Sequence, residues 1–401
     1  MAITIRNTPD DYTPVHNPIK WTATSTNDAQ PAFKYIVEIY INAALAFPAY
    51  KIKPEPLTGN DLLVVDLSKE LRNYITRNLY LTTSDKGILA SNNSFTDYQI
   101  RIGEEYEVAG TLTEFLNLSN ATSYVFNGAL SYTDFVDFTP SDYLDTKFLT
   151  NAPLTRTTDL MGKGALHLML DTGTTLTNYL IKTYLSGVLQ NTYTVTTALS
   201  ATQMYMIACG FDSINAIDSA TYIGGAPAQP ILTSSIDAYT VEATLSTGQT
   251  EVRTFNLLAG CLANDPVRVH WFNRLGGYDF FDFALTDRSS YEVKKESMKQ
   301  VINNVTGVGV VNYSKQDRNM IDYYVTESRT RKLSSDWISE AESEWLKDML
   351  SSQDIYIEES GEYIAVNITD TSYDVKQEKL DELFKLEITF KYAVDSDRQQ
   401  F

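Results

Sequence analysis

Cysteine is nearly missing from these 401 residues. Cys209 and Cys261 are the only two, which rules out a disulfide framework and leaves room for a single bridge. Histidine is as scarce: His16, His167 and His270 lie on separate segments, without the i, i+4 spacing of a zinc helix, and neither cysteine has a ligand-spaced companion. Each histidine therefore reads as a surface or packed-strand residue. No Gly-x-Ser-x-Gly elbow, P-loop, dinucleotide fingerprint or Asp-x-Asp-x-Asp-Gly loop occurs, so no cofactor or metal is expected. The longest apolar stretches, such as Ala43 to Tyr50, fall far short of the ~20 residues that span a bilayer. Positive charge is also short, with 32 Lys and Arg against 51 Asp and Glu and a net charge of −19. Such a surface disfavours anionic membranes and sequence-specific nucleic acid, and keeps a protein soluble when crowded. The opening residues carry no apolar h-region, so synthesis in the cytoplasm without a signal peptide is expected.

What is abundant is β-forming. Tyrosine (26) outnumbers phenylalanine (17), and threonine recurs throughout. The chain is organised around Val267 to Phe283, where Val267, Val269 and Trp271 alternate with Arg268, His270 and Phe272. A turn at Asn273 to Gly277 follows, and Tyr278 to Phe283 returns. Six aromatic residues in this hairpin place it at a core or a domain junction.

The predicted fold class is mainly β and multidomain: tandem β-sandwich-like domains followed by a small α+β C-terminal domain. Residues 1–115 read as the first sandwich, with Phe33, Tyr35, Val37, Ile39 and Ile41 on one strand face and Ser68 capping a short helix. Residues 116–153 read as an aromatic-rich connector with no clean period, lying along another surface. Residues 154–288 form a second β-rich domain, in which Asn178 to Leu185 echoes Phe33 to Ile41. Residues 289–401 are α+β. There, Trp337, Ala341 and Trp345 set a helical stripe capped by Ser334 or Ser335, and Glu359 to Glu362 makes a hairpin turn. Phe384, Leu386, Ile388, Phe390 and Tyr392 share one face of the last strong strand, and the tail from Asp395 is expected to fray.

The sharpest enzymatic look-alike is Leu168-Met-Leu-Asp-Thr-Gly-Thr174, the form of an aspartic-protease turn. That chemistry needs two carboxylates sharing a proton, and Phe211-Asp-Ser-Ile214 lacks the second glycine. Asp-Thr-Gly reads instead as turn chemistry, Glu104 and Glu105 as a solvated acidic face, and Lys294 to Lys299 as a salt-bridged surface. The expectation is a protein that is not an enzyme. Its aromatics then serve cores and subunit interfaces. The candidate interface residues are Tyr124, Phe126, Tyr132, Phe135, Phe138, Tyr143 and Phe148 in the connector, and Trp271, Phe272, Tyr278 and Phe281 in the hairpin.

Four pieces carry a family resemblance: Asp11 to Ile19 with the aromatic strand Phe33 to Ile41, Trp271 to Phe283, Trp337 to Leu346, and the Arg398-Gln399 ending. Together they resemble virion structural proteins of tailed phages infecting Bacteroides-type hosts, crAss-like phages among them. The resemblance covers most of the chain in outline, through architectural rather than catalytic motifs. It implies a tail, neck or baseplate component that is made in the host cytoplasm and resides in the virion. Its partners would be other phage structural proteins and copies of itself in a ring or tube. The alternative is a capsid-surface or fibre-type protein whose aromatics stack on host glycans.

Overall fold

In the first sandwich, a three-stranded sheet (Ile3–Asn7, Lys20–Ser25, Leu62–Asp66) faces a larger one built on Lys34–Ile41 and Phe95–Val108. Those two central strands pair antiparallel from Lys34↔Glu105 to Ile41↔Tyr98. The period-two face expected from the sequence is the buried one: Tyr35, Val37, Ile39 and Ile41 pack with Trp21, Leu63, Tyr98 and Ile100 in one core. The computed structural model describes residues 3–56, 61–79, 87–91, 93–119, 122–196, 204–218, 230–258, 265–301, 307–310, 313–369 and 385–397. Cys261, Phe384, the loop at 224–229 and the Arg398-Gln399 ending lie outside them.

A second sandwich repeats the plan. Its five-stranded sheet runs Thr155–Thr158, Arg253–Leu257, Ala238–Leu245, Leu176–Leu185, Val188–Thr196. A three-stranded sheet of Ala165–Met169, Met204–Ala208 and Ile88–Ala90 completes it. Leu176–Leu185 is an inner strand of the larger sheet, as Lys34–Ile41 is in the first sandwich. Tyr179, Ile181, Tyr239, Val241 and Phe255 fill this core. Its hairpin turn at Ser186-Gly187 has counterparts in the first sandwich and near the C-terminus. Ala109-Gly110, Ser186-Gly187 and Ser360-Gly361 all place two successive residues at positive φ, the twist that a two-residue hairpin loop needs.

The expected connector at 116–153 is not a separate segment. Ser123–Phe126 joins the first large sheet, antiparallel to Phe95–Tyr98 and parallel to Tyr12–Pro14. A one-turn helix (Tyr132–Val136) and a 3₁₀ turn (Pro140–Asp142) follow, and Phe148 bridges Leu168 of the second sandwich. Its aromatics lack a single period because each serves a different short element. The boundary at 115 is blurred further by Ile88–Ala90, which pairs with Met204–Ala208.

The chain forms two compact units: Met1–Ala259 with Phe272–Phe280, and Gly260–Trp271 with Phe281–Phe401. The first holds both sandwiches. In the second, a sheet orders Val267–Phe272, Ile355–Glu359, Glu362–Ile368, Glu387–Tyr392, Met320–Ser334 and Thr286–Lys299. The helix Glu340–Ser351 lays Trp345 against Trp271, with ring centroids 5.0 Å apart. Its cap is Ser339 rather than Ser334 or Ser335. The Ser339 hydroxyl accepts from the Glu342 amide while the Glu342 carboxylate accepts from the Ser339 amide, a capping box that starts the helix later than expected. Trp337 and Ala341 are left exposed in consequence, and Trp345, Leu346 and Met349 carry the buried stripe. Ser396 and Asp397, expected to fray, pair with Glu327 and Thr326.

Candidate functional site

Of the eleven predicted interface aromatics, four are buried, six are half-buried and one is exposed. Phe126, Phe148, Trp271 and Tyr278 are buried within the chain, so they form no surface for a partner. Tyr124 stacks between Tyr12 (4.9 Å) and Phe95 (5.4 Å), and Phe138 packs on both Phe126 (5.9 Å) and Tyr143 (5.7 Å). Phe272 lies edge-on to Tyr278 at 5.2 Å with the Arg77 guanidinium over its face, and Phe281 meets Trp345 at 6.2 Å. Phe135 is half-buried. Tyr132, at 78% exposure, is the one of the eleven that offers an open ring. The reason is the same throughout: large aromatic area is stabilising when removed from water, and this chain removes it internally.

The hairpin turn is fixed by close approach. Gly276 sits at φ +90°, and a Cβ there would lie 2.5 Å from the Asn127 carbonyl oxygen. Asn273 donates to the Leu149 carbonyl at 2.8 Å and accepts from the amides of Leu275 and Gly277, each at 3.0 Å. In the stems, Arg268 donates twice to Asp282 at 2.7 Å, and both side chains are buried. His270 meets Glu358 at 3.2 Å, also out of solvent.

Asp171 behaves as a turn residue. Its carboxylate accepts from the Tyr12 hydroxyl (2.8 Å) and the Thr172 amide (2.7 Å), and Gly173 takes φ +91°. Asp145 completes the turn, accepting from the Asp171 amide (3.0 Å) and the Thr174 hydroxyl (2.7 Å). Burial, with Asp171 alongside, pushes the Tyr12 phenol pKa up. Glu104 and Glu105 depart from expectation: neither is solvated. Glu104 accepts from Ser25 (2.6 Å) and Asn27 (2.7 Å), while Glu105, itself buried, pairs with Lys51. The lysine holds the Glu105 carboxyl below the usual carboxylate range. Among the described residues, no group of three or more His, Cys, Asp or Glu is placed to hold a metal ion.

His167 is the unusual histidine. It is buried in Ala165–Met169 beside Tyr278, and neither ring nitrogen has a hydrogen-bond partner among the described residues. Burial lowers its pKa to about 4 from an ordinary 6.5. As pH falls, the unfolded chain therefore binds this proton first, and stability present above pH 6.5 is lost progressively towards pH 4. Between pH 6.5 and 5 the loss is expected to be on the order of 2 kcal/mol. His167→Leu should flatten that slope in urea melts at the two pH values; parallel slopes would refute it.

The feature the sequence did not announce is a long arm. Thr286–Lys299 and Met320–Ser334 pair antiparallel from Thr286↔Ser334 to Lys299↔Met320. At about 3.4 Å per residue the ribbon extends roughly 45 Å. Its root is clamped. Arg331 donates twice to Asp287 (2.8 and 2.7 Å) and once to Glu359, and the Arg329 guanidinium sits 4.3 Å over Tyr392. Among the described residues, strands other than Thr286–Lys299 flank Met320–Ser334 only from Thr326 inward, through Ser396–Asp397 and Glu387–Tyr392. Beyond that, among the described residues, each strand has just the other. Thr286–Lys299 is exposed along nearly its whole length, and the far end presents Val301, Val308, Val310, Tyr313 and Met320 to solvent.

No family model matches the chain, and no curated protein matches it. Among solved structures, it is similar to a D1–D4 ectodomain fragment of ICAM-5, at 11% identity and a TM-score of 0.21, over 83% of this chain and 71% of that one.

Proposed function

We propose that this chain is a structural component of a tailed-phage virion, an assembly protein of the tail, neck or baseplate that acts through protein–protein interfaces and not through catalysis. The arm carries this reading: a clamped, two-stranded extension with apolar side chains at its far end is built to meet another molecule. The sequence resemblance supplies the virion setting. The acidic balance is compatible with a wall that DNA passes without sticking. The hydrogen bonds that engage Asp171 with Tyr12 and Thr172 in a turn support the non-catalytic reading.

The test is composition of particles. Tailed particles purified from a host producing this chain should contain it in multiple copies, and antibodies against it should label the tail or neck. Its absence from washed particles, with all of the protein free in the lysate, would overturn the assignment. The exposed rings of Tyr132 and Tyr313 favour the fibre-type alternative, because open aromatic faces can stack on sugars. Antibody labelling of fibres or the capsid surface, with glycan binding lost on Tyr313→Ala, would select it.

A further inference from the structure

His167 lies under the tip of the Trp271 hairpin, in surroundings that offer a positive charge nothing. The ring is buried, and neither nitrogen has a hydrogen-bond partner among the described residues. Gly277 of the tip brings its backbone onto it: a Cβ there would lie 3.0 Å from both Cγ and Cδ2 of the imidazole. The groups around the ring are neutral. Tyr278 presents its own ring 6.4 Å away, and Met206 is the partner of His167 on the neighbouring strand. Leu149 donates its amide to the His167 carbonyl at 2.8 Å. Burial alone accounts for the lowered histidine pKa, with no acid or base contributing.

The tip itself is inserted. From Asn273 to Phe280 every residue is buried except Arg274, which is half-buried. Asn273 donates to the Leu149 carbonyl at 2.8 Å, and the Ala129 amide donates to the Arg274 carbonyl at 2.8 Å. Leu275 packs with Leu149, Met169 and Met204. The strand beneath is held differently, because Ala165–Met169 pairs residue by residue with Met204–Ala208 along its whole length. A charge placed on His167 must reach water, and of the two pieces that cover it the turn has the fewer backbone bonds to break.

We propose that the hairpin tip, residues 272–280, is an acid-released latch: protonation of His167 unseats the tip while both sandwiches stay folded. The sign follows from linkage. With the tip seated the histidine takes a proton only near pH 4, whereas once uncovered it takes one at its ordinary 6.5. The seated form is therefore fully favoured above pH 6.5 and loses ground as pH falls. The ratio of seated to released tip should drop tenfold per pH unit between those values, about 300-fold in all, and no further below pH 4. A buried neutral histidine that charges and opens the piece covering it is a recurrent form of pH switch.

Hydrogen exchange on the full chain at pH 6.5 and pH 4, expressed as protection factors, tests it. The reporters are the Ala129 amide, whose acceptor belongs to the tip, and the amides of Leu275, Gly276 and Gly277. Their protection should fall towards the full factor at pH 4, while Tyr179, Ile181 and Val241 in the second core keep theirs. In His167→Leu the reporters should hold their protection at both pH values. Tip amides that stay protected in the parent at pH 4 would overturn the proposal. So would core amides that lose protection together with the tip, since the event would then be global unfolding. An equal loss in His167→Leu would assign the release to another group and overturn it as well. Should that variant fail to fold, the parent's contrast between tip and core decides.

Discussion

Trp271→Ala is expected to lower the stability of the second unit by about 3–5 kcal/mol, the range for truncating a fully buried Trp. Trp271 is 0% exposed and faces Trp345 of the helix at 5.0 Å, so the cavity would open between sheet and helix. Trp345 also meets Phe281, and Phe283 meets Phe390, which makes this cluster the place where hairpin, helix and last strand converge. Trp271→Phe, which keeps most of the area, should cost about 1–2 kcal/mol. Urea unfolding followed by tryptophan fluorescence would read both. A loss under about 1 kcal/mol for the alanine variant would mean that the helix docks by other contacts.

Asp282→Ala should be comparably severe, at about 3–5 kcal/mol, for an electrostatic reason. Arg268 and Asp282 are both buried on the hairpin stems and joined by two charge-assisted bonds of 2.7 Å. Removing the carboxylate takes away the charge that two of the buried guanidinium's hydrogen bonds reach. Removing both charges is different, because two apolar side chains of similar volume can replace a buried pair with little loss. Arg268→Met with Asp282→Leu should therefore recover most of the stability that the single substitution forfeits. A double variant no better than the single one would show that the pair is worth more than its desolvation.

Where side chains alternate cleanly, the strands were legible from sequence. Phe33 to Ile41 and the run ending at Tyr392 bury the faces their period predicts, and the tandem sandwiches follow from such runs. The hairpin at Trp271 was readable for the same reason, with Gly276 and Gly277 marking its turn. Helix register was less so: the i, i+4 stripe through Trp337 and Ala341 competed with Ser339 and Glu342, and the capping box decided the start. Ser-x-x-Glu before the stripe was the signal that could have settled it.

Burial of charge was invisible in one dimension. Glu104 and Glu105 look like a solvated pair until Ser25, Asn27 and Lys51 are folded over them. The arm was missed because period reasoning needs a buried face, and Thr286–Lys299 has none. Its lysines and glutamates read as an ordinary salt-bridged surface, which in part they are, as Lys295 with Asp322 at 3.4 Å illustrates. What the sequence did offer was an uncharged, valine-rich stretch between two charged runs, from Gln300 to Ser314. Conversely, the aromatics of 116–153 stood out in sequence, yet Phe126 and Phe148 are buried, Tyr124, Phe135, Phe138 and Tyr143 are half-buried, and Tyr132 alone among them is open to solvent.

Hydrogen exchange on the free chain and on its assembled form tests most directly whether this protein works by presenting the arm. Amides of 295–299 and 320–325 should exchange fast in the free protein and slow markedly on assembly, while Ser123–Phe126 and the strand holding His167 should be protected in both. An arm equally protected, or equally unprotected, in the two states would contradict the account.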